Sequence, residues 1–159
     1  MKAAERNPLV EQIHTSGRTA VILVSGGGTR AIEALMSRPG ASRFVAEVGI
    51  PYCTAALEHW IGSLPPQIAG EEAARAMARA AYERARSYAE ERRPLGLSCT
   101  AALHTLRERR GEDRAHLAAK GCRGEAHVEV RFESATRAAQ ERELEEVILR
   151  RWQEFIGRV

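Results

Sequence analysis

Ser25 and three glycines stand together at residues 25–29, where the chain reads Ser-Gly-Gly-Gly-Thr. An apolar, β-branched run precedes them at residues 20–24, and apolar residues at helical spacing follow: Ile32, Leu35 and Met36. The pattern predicts a buried strand, a glycine turn and a helix with Thr29 as its N-cap. Such a turn brings the N–H groups of Gly26, Gly27 and Gly28 up to a phosphate or an oxyanion, and Thr29 is a further candidate ligand of that group. A tight turn that needs positive φ is the alternative, although three successive glycines exceed that need.

Polar residues also follow two further strands that the sequence predicts. Residues 44–51 lead into Tyr52, and residues 95–99 lead into Thr100. In open α/β sheets, ligands bind beyond the carboxyl ends of the parallel strands. We therefore expect Ser25, Tyr52 and Thr100 to line one pocket, although polar residues also gather at strand ends simply because the chain exits to water there.

The segment after the third strand, residues 104–116, is rich in arginine. Guanidinium groups bind phosphate in a bidentate manner, which makes three of them candidate phosphate ligands: Arg107, Arg110 and Arg114. His104, also a candidate ligand residue, and His116 are candidate bases. An exposed charged loop explains the same segment equally well. No nucleophile elbow, zinc-protease, Walker or complete dinucleotide motif occurs, so spacing alone identifies no catalytic set.

The composition predicts a single domain spanning residues 1–159. The 24 basic and 21 acidic residues are interleaved, which predicts a solvated surface and no nucleic-acid partner. No apolar run approaches the ~20 residues that span a bilayer, and the first residues lack a signal peptide's apolar centre, so we expect a cytoplasmic protein without a membrane partner. Three cysteines without CxxC spacing predict buried reduced thiols, no metal and no cofactor.

The hydrophobic pattern predicts a three-layer α/β/α sandwich with a mixed, mostly parallel sheet and an antiparallel hairpin at one edge. The predicted strands are residues 19–24, 44–51, 95–99, 114–119 and 126–132. The predicted helices are residues 8–16, with Asn7 as N-cap and Pro8 in the first position, followed by 54–61, 71–92 and 134–157. Helical crossovers make the first and second strands parallel.

Five segments in this order resemble motifs of the CinA carboxy-terminal domain family, whose active members hydrolyse the amide of nicotinamide mononucleotide. The family patterns are A-E-S-C-T-G-G, P-G-S-S, Y-S-N-x-x-K, V-S-E-E-V-A-x-x-M-A and G-L-A-x-T-G-I-A-G-P. Their counterparts here are residues 23–29, 39–42, 52–57, 69–78 and 95–103. The resemblance implies a site with Ser25, Tyr52 and Thr100 as catalytic residues, a nucleotide or related phosphorylated ligand, and a homo-oligomer.

Two departures from the family pattern bear on activity. Val24 replaces the glutamate that precedes the family serine, and Leu57 replaces the lysine of the tyrosine motif. Without that carboxylate and amine, the obvious means of activating a serine or a water is lost. The resemblance thus leaves three hypotheses: an amidohydrolase acting on a phosphorylated metabolite, a catalytically degenerate nucleotide-binding module, and a purely structural oligomer subunit.

Overall fold

The computed structural model describes residues 1–88 and 93–159, which form one mixed sheet between two layers of helices. The strands are β1 (Arg18–Ser25), β2 (Val45–Gly49), β3 (Arg93–Ala102), β4 (Arg114–Gly121) and β5 (Gly124–Arg131). The helices are α1 (Ala3–His14), α2 (Thr29–Met36), α3 (Thr54–Ile61), α4 (Glu71–Tyr88) and α5 (Arg137–Arg158), with a 3₁₀ turn at Ala41–Arg43. None of the described helices is long and apolar enough to cross a membrane.

The strand order is β2-β1-β3-β4-β5. β1 runs parallel to both β2 and β3, and β4 and β5 continue the sheet as an antiparallel hairpin at its edge. The three-layer α/β/α prediction and the predicted hairpin are therefore confirmed. Because β1, β2 and β3 are parallel, their carboxyl ends meet at one edge of the sheet, which is where ligand sites form in open α/β folds.

Alternation along β1 separates two hydrophobic cores. Ala20, Ile22 and Val24 belong to a large cluster shared with α1, α2 and α5, in which Trp152 is fully buried. Val21 and Leu23 point the other way, into a smaller cluster with α3 and α4. Successive side chains of a strand point to opposite faces. Ser25, at the end of β1, is therefore expected on the same face as Val21 and Leu23, two and four residues before it.

Several predicted boundaries need correction. α1 begins at Ala3 with Lys2 as N-cap, so Pro8 lies inside the helix and Asn7 does not cap it. The residues before Pro8 include two alanines with high helix propensity, and a proline this close to the start removes only one backbone hydrogen bond. Gly28, with φ 97°, is the N-cap of α2, and Thr29 is its first helical residue. α5 begins at Arg137, where the Thr136 side chain caps the helix.

The remaining differences concern strand lengths and cysteines. β2 covers only Val45–Gly49, whereas β1, β3 and β4 are longer than predicted. Residues 89–92, predicted as the end of the helix over 71–92, lie outside the described residues. The three cysteines are free, as expected. Cys99 is buried in β3, but Cys53 and Cys122 are exposed because they lie in a loop and in the hairpin turn.

Candidate functional site

Packing against the rest of the chain accounts for each glycine of the turn after β1. A Cβ on Gly26, where φ is 78°, would lie 1.9 Å from the carbonyl oxygen of Ala101. On Gly27 it would lie 2.7 Å from Leu103 Cδ1, and on Gly28 it would lie 2.8 Å from Ile148 Cδ1. Backbone contact requires glycine at position 26, positive φ favours it at position 28, and Gly27 meets only the end of the Leu103 side chain, so the number of glycines does not by itself indicate a ligand.

α5 supplies two charged side chains to the same turn. The backbone N–H of Gly28 donates to Oε2 of Glu141 at 3.1 Å. Nη2 of Arg137, one helical turn earlier, donates to the carbonyl oxygen of Gly26 at 2.9 Å and lies 3.3 Å from the Tyr52 hydroxyl. An amide that was expected to bind phosphate therefore already holds a carboxylate of the chain, with a guanidinium beside it.

A pocket of about 290 Å³ opens between the turn, the end of β2 and the start of α5. Its volume lies near the lower end of the range usual for small-molecule sites. It is lined by Val24, Gly26, Gly27, Thr29, Ile50, Tyr52, Arg137 and Glu141. The Tyr52 side chain is 69% exposed at this pocket. The pocket combines a cation, an anion, an aromatic ring and bare backbone, which suits a small polar ligand with a planar group.

Ser25 and Thr100 lie on the opposite face of the sheet from this pocket. They are register partners on β1 and β3, and both are buried. The Ser25 hydroxyl donates to the Pro51 carbonyl oxygen at 2.8 Å, and the Thr100 hydroxyl donates to that of Ile68 at 2.7 Å. Neither is among the residues that line the pocket with Tyr52. Alternation along β1 and β3 turns both side chains to the sheet face of Val21 and Leu23, where they bond to carbonyl oxygens of the loops before α3 and α4.

The two positions that depart from the family pattern fall on different faces. Leu57 on α3 is 1% exposed and packs against Val21 and Leu23, on the face that Ser25 shares. Val24 belongs to the other face and lines the pocket. An apolar core residue therefore occupies this position of α3. The pocket, in turn, receives its carboxylate and its cation from α5.

The arginine-rich segment is a surface loop that is only partly directed towards the site. His104 and Arg107 line a shallow depression made by the loop itself. The backbone N–H of His104 donates to Oε1 of the buried Gln140 on α5, at 2.7 Å. Arg109 anchors the loop through Asp113 and the carbonyl oxygens at the end of β3. Arg110 is exposed.

Arg114 stands apart from the other predicted phosphate ligands. It is the first residue of β4, and its guanidinium donates to the Ala69 carbonyl oxygen and to Gln67 Oε1, both at 3.3 Å. These partners belong to the segment before α4, on the face opposite the pocket. Four candidates from the loop thus divide into a depression (His104, Arg107), an exposed position (Arg110) and a structural contact (Arg114).

His116, a candidate base, is buried on β4 rather than in a loop. Its Nδ1 lies 3.1 Å from Nε2 of His127 on β5, and His127 Nδ1 lies 3.6 Å from a carboxylate oxygen of Glu71. Burial lowers the pKa of both histidines, and the charge of His127 lowers that of His116 further. Among the described residues, no group of three or more His, Cys, Asp or Glu side chains could hold a metal ion.

Sequence reasoning missed the residues that matter most to the pocket, Arg137 and Glu141. It treated the final helix as a core element because its apolar residues recur at helical spacing. The available signal was the pair of opposite charges four residues apart near the start of that helix. Such pairs are common on solvated helices, so the signal was weak without the fold.

No protein-family model matches this sequence, and no curated protein matches it. Solved structures do. The competence/damage inducible protein CihA from Agrobacterium tumefaciens superposes with a TM-score of 0.79 at 19% identity, covering 99% of each chain. A CinA-superfamily protein from Klebsiella pneumoniae gives 0.77 at 11% identity over 100% of each chain. One from Enterobacter cloacae gives 0.73 at 14% identity, over 95% of this chain and 89% of that one. The resemblance drawn from the motifs is confirmed at the level of the fold.

Proposed function

We propose that this chain is a CinA-like binding module that takes a small phosphorylated ligand of the nicotinamide-mononucleotide type in the pocket beside the glycine turn. We propose further that it does not hydrolyse the amide of that ligand. The observation that carries this proposal is that the candidate ligand-binding side chains and the candidate nucleophile do not share a site. Tyr52, Arg137 and Glu141 line the pocket, whereas Ser25 does not line it and its hydroxyl donates a hydrogen bond to the Pro51 carbonyl oxygen.

Three features of the pocket support ligand binding. Arg137 presents a guanidinium, which binds phosphate oxygens through charge-assisted hydrogen bonds. Tyr52 offers an exposed aromatic face on which a planar heterocycle can stack. The turn at residues 26–28 brings the backbone close to the start of α2, where the helix dipole favours an anion.

The surroundings of Ser25 argue against amide hydrolysis. The hydroxyl donates a hydrogen bond to the Pro51 carbonyl oxygen, and Leu57, at the position of the family lysine, is an apolar core residue. General acid–base assistance is commonly worth ~10²–10⁴ in rate, and no described contact of Ser25 provides it. A serine in this state is a structural hydrogen-bond donor.

Ligand binding is tested by thermal denaturation with nicotinamide mononucleotide and its acid form at equal ionic strength. A ligand at 100 times its dissociation constant stabilises the native state by about 2.7 kcal/mol. For a domain of this size that corresponds to a rise of roughly 5–10 °C in Tm. The Arg137→Gln variant should lose the response, whereas Arg151→Gln, on the exposed side of α5, should keep it. An equal response in both variants, or none in the wild type, contradicts the proposal.

A second candidate function is amide hydrolysis by a different set of residues. It is favoured by the presence of Glu141 and Arg137 in the pocket, which supply a carboxylate and a cation from α5. An ammonia-release assay with nicotinamide mononucleotide decides between the two. Turnover near ~10 s⁻¹, a typical enzyme value, that survives in Ser25→Ala and disappears in Glu141→Gln would establish this second function.

The homo-oligomer and the cytoplasmic location that the sequence suggested belong to this proposal as well. Light scattering at several protein concentrations measures the oligomeric state. A larger assembly without any ligand response would favour the third hypothesis, a structural subunit.

A further inference from the structure

A second polar cleft lies at the opposite end of the sheet from the pocket. It forms where α1 ends and where β1 and β2 begin, and its volume is about 140 Å³. The lining residues are Val10, Glu11, His14, Thr15, Arg38, Pro39, Gly40 and Arg43. Three of the eight are basic residue types and one is acidic. The segment that contributes Pro39 and Gly40 is one of the five motifs, and the function proposed above gives it no role.

His14 is the buried member of this cleft, with only 5% of its surface exposed. Its Nε2 lies 3.0 Å from the carbonyl oxygen of Leu35, so Nε2 carries the hydrogen and donates it. Neutral His14 therefore has an unprotonated Nδ1. This atom faces the turn at Gly40, where φ is 102° and a Cβ would lie 3.4 Å from it. One ring nitrogen is fixed by the fold, and the other is directed towards the cleft.

The two arginines approach the imidazole from different segments. Arg38 follows the end of α2, and Arg43 closes the 3₁₀ turn before β2. Burial lowers the pKa of His14, and the positive charges of Arg38 and Arg43 lower it further. Glu11 on α1 is the one carboxylate among the lining residues. The charged groups that line the cleft beside His14 are thus two guanidinium groups and one carboxylate.

We propose that this cleft is a binding site for a small tetrahedral oxyanion, inorganic phosphate or the terminal phosphate of a larger molecule, with Arg38, Arg43 and His14 as its ligands. A dianion is held by charge-assisted hydrogen bonds from the guanidinium groups. Its approach favours the protonated imidazole, so Nδ1–H becomes a third donor. The volume is well below the ~300 Å³ at which sites for drug-sized ligands begin, so a nucleotide base does not fit inside the cleft.

The site is tested by following the imidazole signals of the five histidines by NMR while inorganic phosphate is added at constant ionic strength. We expect the His14 signals to move in a saturable manner and those of His116 and His127 to stay in place. The Arg38→Gln and Arg43→Gln variants should each weaken phosphate binding about tenfold, because each removes a hydrogen bond to a charged group. Arg151→Gln is the matched control on an exposed helix face and should bind normally.

Further measurements distinguish this cleft from the pocket beside the glycine turn. They also distinguish free phosphate from a phosphorylated metabolite as the source of the anion. Arg137→Gln removes the cation of the pocket and should leave the His14 response unchanged. Sulfate does not titrate in this range, so its affinity should rise from pH 8 to pH 6 as His14 takes up a proton. A phosphorylated metabolite that binds more tightly than phosphate identifies the larger molecule as the source, and equal affinity identifies the free anion. The proposal is overturned if the His14 signals do not move in excess phosphate. It is also overturned if the Arg38→Gln and Arg43→Gln variants bind phosphate as tightly as the wild type.

Discussion

Replacing Glu141 by glutamine should lower the stability of the protein and raise its affinity for a phosphorylated ligand. The half-buried Glu141 carboxylate accepts a hydrogen bond from the Gly28 N–H at 3.1 Å and so joins α5 to the start of α2. A hydrogen bond to a charged group contributes about 1.5–3 kcal/mol and a neutral one about 0.5–1.5 kcal/mol. Glutamine keeps the geometry and loses the charge, so we expect a loss of about 1 kcal/mol, or roughly 2–4 °C in Tm.

The gain in affinity follows from the same contact. A phosphate bound at the turn would meet the Glu141 carboxylate, and two unit charges 4 Å apart at an effective dielectric constant near 20 repel by about 4 kcal/mol. Water in the open pocket screens much of this repulsion. We therefore expect the Glu141→Gln variant to bind nicotinamide mononucleotide, or the best phosphorylated ligand found, about tenfold more tightly.

Urea denaturation measures the change in stability, and isothermal titration calorimetry measures the affinity. Glu154→Gln is the matched control, because Glu154 lies on the same helix and forms a surface ion pair with Arg151. It should change neither quantity. If Glu141→Gln leaves the affinity unchanged or weakens it, Glu141 does not compete with the ligand, and the pocket as described is not the ligand site.

Three further predictions follow from the described contacts. Gly26→Ala should destabilise the protein by at least about 3 kcal/mol in urea denaturation, since its Cβ would overlap the Ala101 carbonyl. Gly17→Ala, also at positive φ but in open space, should cost about 1–2 kcal/mol. Ser25→Ala should lower the free energy of unfolding by about 1 kcal/mol and leave ligand affinity intact, because the hydroxyl donates a hydrogen bond to the Pro51 carbonyl oxygen. A loss of ligand binding in this variant would place Ser25 in the site. The pKa values of His116 and His127 are lowered in the folded state, so unfolding takes up protons and the free energy of unfolding should fall as the pH drops below about 6.5. His127→Gln should make the free energy of unfolding depend less steeply on pH, and an unchanged dependence would contradict a contribution from this histidine pair.

The sequence by itself determined the order and type of the elements and the layers they form. Residues 20–24 predict a buried strand because an apolar run bounded by a glycine turn is a local pattern. The Thr54–Ile61 helix was predicted with its exact bounds, since Gly62 ends it. The parallel pairing of β1 with β2 followed from the helix between them. Signals of this kind depend on neighbours within a few residues, so a single chain is enough to show them.

The tertiary structure decided which polar groups share a site. Gly28 and Glu141 are 113 residues apart in the chain, and Gly26 and Arg137 are 111 apart, so no local pattern could connect them. Parity separated Ser25 from the pocket that Tyr52 lines, although the two residues stand at the ends of neighbouring strands. The physical reason is that a strand assigns alternate side chains to opposite faces, and only the packing of α5 against one of those faces determines which polar groups line the pocket.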